Sequence, residues 1–161
     1  MINPACTVRT YQTFFLPETA DSFDFTQYDY VIDAIDTVTG KIALVQKAVA
    51  AGVPIICSMG AGNKTDPTRF RVSDLSKTHT DPLAKVMRHK LKELGIKKLK
   101  VVWSDEPPMK PIPDDEPEDP NRREVPGSLA FVPSVAGLII AGEVVRNLIA
   151  KEHLTKGENE L

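Results

Sequence analysis

The chain has 161 residues, 42% of them hydrophobic and 26% charged, with a net charge of -2. These values suit one domain large enough for a real core, and they exclude global basicity as a route to nucleic acid, leaving only local patches. Two cysteines, Cys6 and Cys57, supply neither a disulfide framework nor a metal-ligand set. The N-terminus shows no basic-then-apolar signal region. The longest apolar segment, residues 135–141, is far too short for a membrane helix. No membrane contact and a cytoplasmic enzyme are therefore expected.

Residues 7–15 hold Thr7, Val8, Tyr11, Thr13, Phe14 and Phe15, a β-branched and aromatic content that predicts a strand. A polar connection leads to a second strand over 28–33, with Val31 and Ile32 at its centre, of the kind buried in a parallel sheet. After Asp36 the spacing turns helical, with Val38, Ile42, Val45 and Val49 on one face, and predicts a helix over 37–51. Gly52 and Pro54 then stop it. Asp36 thus falls at the carboxyl end of a strand, where open α/β sheets bind ligands. It can equally serve as the helix N-cap.

A short strand over 54–57 runs into Ser58, Met59, Gly60, Ala61, Gly62, Asn63 and Lys64. Two glycines there let backbone N–H groups approach a ligand, and they also suit a plain turn. Phe70 to Val72 reads as another strand. Asp81 and Pro82 open a helix over 81–94, with Leu83, Val86, Met87, Leu91 and Leu94 on its apolar side. Lys85, Arg88 and Lys92 recur at spacings of three and four, and Lys97, Lys98 and Lys100 follow closely. Such a group is either a solvated face or a polyanion contact. The histidines share no metal-binding spacing.

Residues 99–104 predict a further strand. Residues 105–126 then hold seven of the 13 prolines and eight of the 22 acids, which excludes a helix interior or central strand and predicts a surface loop. A last helix is predicted over 134–150, with Val135, Leu138, Ile139, Val145, Leu148 and Ile149 inward, followed by a polar tail over 151–161.

The run Tyr28 to Lys41, with Asp33-Ala34-Ile35-Asp36 at its centre, resembles the fourth-strand motif of the ThiF/MoeB/E1-like adenylating superfamily. Two further blocks narrow the likeness. One runs from Cys57 through Gly60, Gly62, Lys64, Pro67, Asp74, Asp81 and Arg88; the other covers Val125 to Glu143. Together they resemble the tRNA threonylcarbamoyladenosine dehydratase branch.

The resemblance implies a Rossmann-like, mostly parallel α/β sheet that lacks the first two strands. Residues 1–150 would be a partial nucleotide-binding domain whose proline- and acid-rich loop spans 105–127, and 151–161 a tail. It implies ATP and magnesium as cofactors, with Asp36 as the catalytic and metal-binding carboxylate. Thr37, Lys41, Gly60 and Gly62 would line the nucleotide. The reaction implied is ATP-dependent cyclisation of N6-threonylcarbamoyladenosine at position 37 of tRNA, through an adenylated carboxylate. Lys85, Arg88, Lys92, Lys97, Lys98 and Lys100 would contact the tRNA. A homodimer is implied, and a cysteine desulfurase-type partner is left open.

The superfamily's glycine-rich ATP loop, ribose-binding acid and phosphate-binding Arg and Lys have no counterpart here, so the likeness is to the C-terminal part of the enzyme. The strands at 7–15 and 28–33 would then become neighbours. Two alternatives follow: a sulfur-carrier adenylyltransferase, or a non-catalytic remnant that binds a partner or tRNA. The loop cysteine of sulfur-transferring relatives is missing, and Cys57 reads as a buried structural thiol.

Overall fold

The computed structural model describes residues 3–110 and 126–158, with backbone alone over 154–158. Most of the proline- and acid-rich loop, 111–125, and the end of the tail, 159–161, lie outside these residues.

Four strands form one sheet in the order β1-β2-β4-β3, with β1 Val31–Asp33, β2 Ile55–Ser58, β3 Phe70–Asp74 and β4 Lys100–Ser104. β1, β2 and β4 are parallel, in the register Asp33 opposite Cys57 and Cys57 opposite Val101. β3 runs antiparallel to β4 on the far edge. The helices are α1 Val38–Ala50, α2 Pro82–Glu93 and α3 Phe131–Glu158.

Strand alternation assigns the two faces of the sheet. Cys57, Val101 and Trp103 pack with Val45 of α1 and with Ala84, Met87 and Leu91 of α2. Ile56, Val102 and Phe70 pack with Val132, Ala136, Ile140 and Val144 of α3. The result is a three-layer α/β/α arrangement, with α1 and α2 on one face and α3 on the other. A third cluster joins Phe25 and Val31 to Leu44 and Ala48 beside β1.

The strand expected over 7–15 is not formed. That segment is irregular, and Val8, Tyr11 and Phe14 are exposed, Phe14 at 81%. Its β-branched and aromatic side chains favour a pleated, half-buried surface, and a sheet neighbour has to provide one. Among the described residues none lies on the outer side of β1, so these two segments do not pair.

The final helix also differs from the reading above. It begins at Phe131, with Pro133 in the first turn where its missing N–H is tolerated, and it continues past Ala150. Its packed stripe is Val132-Ala136-Ile140-Val144, while Leu138, Val145 and Ile149 face out, Leu138 at 72% exposure. The helix is apolar on several sides, so hydrophobic spacing alone does not select the buried face. Length and composition would let residues 131–153 cross a membrane, yet the fold uses this helix as a layer against the sheet. Val49 of α1, Val86 of α2 and Leu94 just after it are likewise more exposed than their spacing predicts.

Candidate nucleotide site at the carboxyl edge of the sheet

β1, β2 and β4 all end on the same edge of the sheet, and their connecting loops gather there. Asp36 follows β1, exposed, with its Oδ1 accepting from the Thr37 hydroxyl at 3.3 Å. The N-cap of α1 is Thr37, whose side chain makes no cap hydrogen bond. Asp36 is therefore not the cap that its position allows. Its carboxylate is free to take a ligand, and Thr37 is exposed beside it.

Lys41, expected among the nucleotide contacts, is closed to solvent. Its ammonium donates to the carbonyls of Ile35 at 3.0 Å and Ser58 at 2.8 Å, tying the ends of β1 and β2 together. It also lies 2.8 Å from Asp33 Oδ2, equally buried. That contact is one of charge, since Oδ2 accepts no hydrogen bond, while Oδ1 accepts the Ile35 N–H at 3.0 Å. Burial, reinforced by the charge of Asp33, pushes the Cys57 thiol well above its ordinary pKa. Such a thiol is structural.

The loop after β2 is held from three sides. Gly60 N–H donates to Asp81 Oδ2 at 3.0 Å, and Asp81 Oδ1 caps α2 through the Ala84 N–H at 2.9 Å. Asn63 accepts from and donates to Gly127, at 2.7 and 2.8 Å. A Cβ on Gly62 would stand 2.7 Å from Pro126 Cβ, and one on Gly60 would stand 3.4 Å from the Asp81 oxygens. The sides of both glycines are thus occupied by the protein itself.

Further along the loop, Lys64 is 3% exposed and donates to the Glu106 carbonyl at 2.6 Å. Burial lowers its pKa against the opposing pull of Asp81 and Glu106. The Glu106 carboxylate accepts the N–H groups of Thr65 and Asp66 and the Thr65 hydroxyl, at 2.9 to 3.0 Å. Burial alone would raise its pKa, but these bonds hold it below the ordinary value. Asp105 bridges Arg69 and Arg71, each at 2.7 Å.

The six expected tRNA contacts separate into two groups. Lys85, Arg88 and Lys92 lie on α2, and Lys92, Lys97 and Lys98 are exposed. Arg88 donates to the Thr78 carbonyl at 2.9 Å and to the Thr78 hydroxyl. Lys100 does not join them. It points to the α3 face, where its ammonium meets Glu143 at 2.7 Å and Asn147 at 2.9 Å.

Magnesium in nucleotide sites takes one or two carboxylates and completes its shell from water and phosphate. Asp36 with the Thr37 hydroxyl fits that demand. Among the described residues no group of three or more His, Cys, Asp and Glu forms a closed protein cage. The spacing of residues misses three members of this edge: Asp33, whose partner lies a strand-to-helix turn away; Asp81, legible only as a cap; and Glu106, one acid among eight in its stretch.

The chain is 49% identical over 156 residues to the tRNA threonylcarbamoyladenosine dehydratase of Bacillus subtilis, covering 92% of this chain and 61% of the relative. It is 32% identical over 168 residues to the Escherichia coli protein of that name, covering 93% and 63%. The solved structure of E. coli tRNA N6-threonylcarbamoyladenosine dehydratase, TcdA, in complex with AMP superposes with a TM-score of 0.80 at 31% identity, over 94% of this chain and 61% of that one. A complex of the same protein with ATP matches with the same TM-score, over 94% and 60%. The chain thus spans less than two thirds of the length of these relatives. The sequence pattern of the ThiF family matches residues 1–160, and the chain belongs to that family.

Proposed function

We propose that the chain carries the metal-binding carboxylate of an ATP-dependent dehydratase that cyclises N6-threonylcarbamoyladenosine at position 37 of tRNA. The names of its relatives and the AMP and ATP complexes of one of them support this reading. In this chain the supporting observation is Asp36, an exposed, non-capping carboxylate at the carboxyl end of a parallel strand. Asp36 would hold magnesium, with the Thr37 hydroxyl orienting the carboxylate, and the metal would supply neutralisation of phosphate charge for nucleotidyl transfer. The same reading takes tRNA as the substrate, a homodimer as the assembly and the cytoplasm as the compartment.

Calorimetric titration of the chain with ATP and magnesium tests it. Binding by the wild type and its loss in Asp36→Asn are expected, because a neutral amide binds magnesium poorly. Equal binding by both proteins overturns the assignment of Asp36.

A second reading, a non-catalytic unit that binds tRNA or a partner, is favoured by one observation. Lys41 is internal, and Gly60 and Gly62 face Asp81 and Pro126, which leaves Asp36 and Thr37 as the accessible nucleotide contacts. Binding of tRNA without binding of magnesium-ATP would select it. The sulfur-carrier alternative has weaker support, since the buried Cys57 thiol has a raised pKa.

A further inference from the structure

Lys41 bonds the chain on both sides of Asp36. Before Asp36, both backbone polar groups of Ile35 are engaged by side chains closed to solvent. The Ile35 N–H donates to Asp33 Oδ1 at 3.0 Å, and its carbonyl accepts from the Lys41 ammonium, also at 3.0 Å. After Asp36, the Thr37 carbonyl accepts the Lys41 backbone N–H at 2.9 Å. One residue therefore grips the turn with its side chain on one flank and with its main chain on the other. The same ammonium bonds the Ser58 carbonyl at 2.8 Å, anchoring the turn to the end of β2. Asp33 faces it at 2.8 Å and supplies the opposite charge that lets it stay buried.

The peptide unit is planar, so fixing the Ile35 carbonyl also fixes the amide nitrogen of Asp36. With Thr37 held as well, the freedom left at Asp36 is concentrated in its side chain, which is exposed beside the Thr37 hydroxyl. Stability alone does not call for a charge at Lys41, since apolar side chains of similar volume often replace a buried ion pair without loss. An apolar side chain would fill the space and bond neither carbonyl. Metal-binding carboxylates depend on outer-shell partners of this kind to set their direction. We propose that Lys41 and Asp33 are positioning residues, which present the Asp36 carboxylate to magnesium-bound nucleotide from a preset backbone. Asp33 acts through its charge on Lys41 and through its bond to Ile35. The inference rests on the reading of Asp36 as the metal-binding carboxylate, and it moves Lys41 from ligand contact to the support behind it.

Lys41→Met alone strands the Asp33 charge and risks unfolding, so the test uses the Asp33→Asn, Lys41→Met double variant. It removes both charges, keeps an amide oxygen to accept the Ile35 N–H, and deletes only the bonds to the Ile35 and Ser58 carbonyls. In the ligand-free chain, the NMR order parameters of the Asp36 and Thr37 amides should fall from about 0.85, the rigid-backbone value, to below about 0.6. In calorimetric titrations the affinity for magnesium-ATP should fall by roughly 10–100-fold, as it does when an outer-shell partner is lost. Val144→Ala, a core truncation under α3 on the opposite face of the sheet, should lower stability and leave both readouts unchanged. Rigid Asp36 and Thr37 amides in the folded double variant, or wild-type affinity for magnesium-ATP, would overturn the proposal and leave the pair a purely structural one. An equal loss of affinity in Val144→Ala would overturn it too, by tracing the effect to stability. Absence of magnesium-ATP binding by the wild type is a different failure: it removes the assignment of Asp36 and this inference with it.

Discussion

The Lys41 ammonium lies 2.8 Å from the Asp33 carboxylate, with both side chains closed to solvent and Lys41 also bonded to the carbonyls ending β1 and β2. A charge in such a place is tolerated only with its partner. Removing either side leaves the other buried and uncompensated, a loss of about 3–5 kcal/mol. Lys41→Met and Asp33→Asn should each destabilise the chain on that scale in urea titrations, and the double variant should recover part of the loss. Additive losses would show that the two groups are not coupled.

Asp36 and Asp81 are two acids beside helix starts with opposite roles. Asp81 caps α2 through Ala84 and holds Gly60, so Asp81→Ala should cost at least the roughly 0.5–2 kcal/mol of a lost cap. Among the described residues Asp36 bonds only the Thr37 hydroxyl, so Asp36→Ala should stay within about 0.5 kcal/mol of wild type, as exposed substitutions do. Thermal unfolding of both variants distinguishes them. A large loss from Asp36→Ala would return that residue to a structural role.

Hydrophobic spacing reads the strands around Val31, Ile56, Phe70 and Val102 correctly, because each short β-branched or aromatic run is bounded by a turn or a helix start. The carboxyl-edge position of Asp36 follows from the same switch of period. Spacing fails at residues 7–15, where strand propensity without a sheet neighbour forms nothing. It fails again on α3, where apolar residues surround the helix and only the stripe Val132, Ala136, Ile140 and Val144 packs on the sheet. Lys41 shows the limit for the site. A lysine near a ligand and a lysine locked onto a buried Asp33 look alike in sequence, since only the fold brings the Ser58 carbonyl to it.

On the α3 face, Lys100 meets Glu143, which also accepts from Arg146 and Asn147. These bonds, with Lys100 first, bring the Glu143 carboxyl down from 4.5 to about 2. The folded pKa lies below the unfolded one, so the stabilisation is complete above the ordinary carboxyl value and is lost as pH falls from about 4.5 towards 2. Lys100→Met should flatten the stability profile within that window and leave its shape near neutrality unchanged. Urea midpoints measured between pH 2 and 6 check this. An unchanged acid limb would mean that Lys100 does not set the Glu143 pKa.

The loop between β2 and β3 offers the sharpest contrast between neighbouring positions. At Gly62 an added Cβ would meet Pro126 Cβ at 2.7 Å and Cγ at 3.2 Å, distances that oblige something to move. The Pro126–Gly127 segment is held there by Asn63, whose N–H and Oδ1 both bond to Gly127. Gly62→Ala should therefore push that segment away and loosen both bonds, at the roughly 1–3 kcal/mol of an overpacked contact. At Gly60 the added Cβ would sit 3.4 Å from the Asp81 oxygens, close to ordinary contact. Gly60→Ala should cost less than Gly62→Ala and keep the bond to Asp81. Amide exchange resolves the two: the Gly127 N–H should lose protection in Gly62→Ala and retain it in Gly60→Ala. Retained protection at Gly127 in Gly62→Ala would mean that the loop relaxes around the new methyl group, and that the contact with Pro126 does not hold the segment leading into α3.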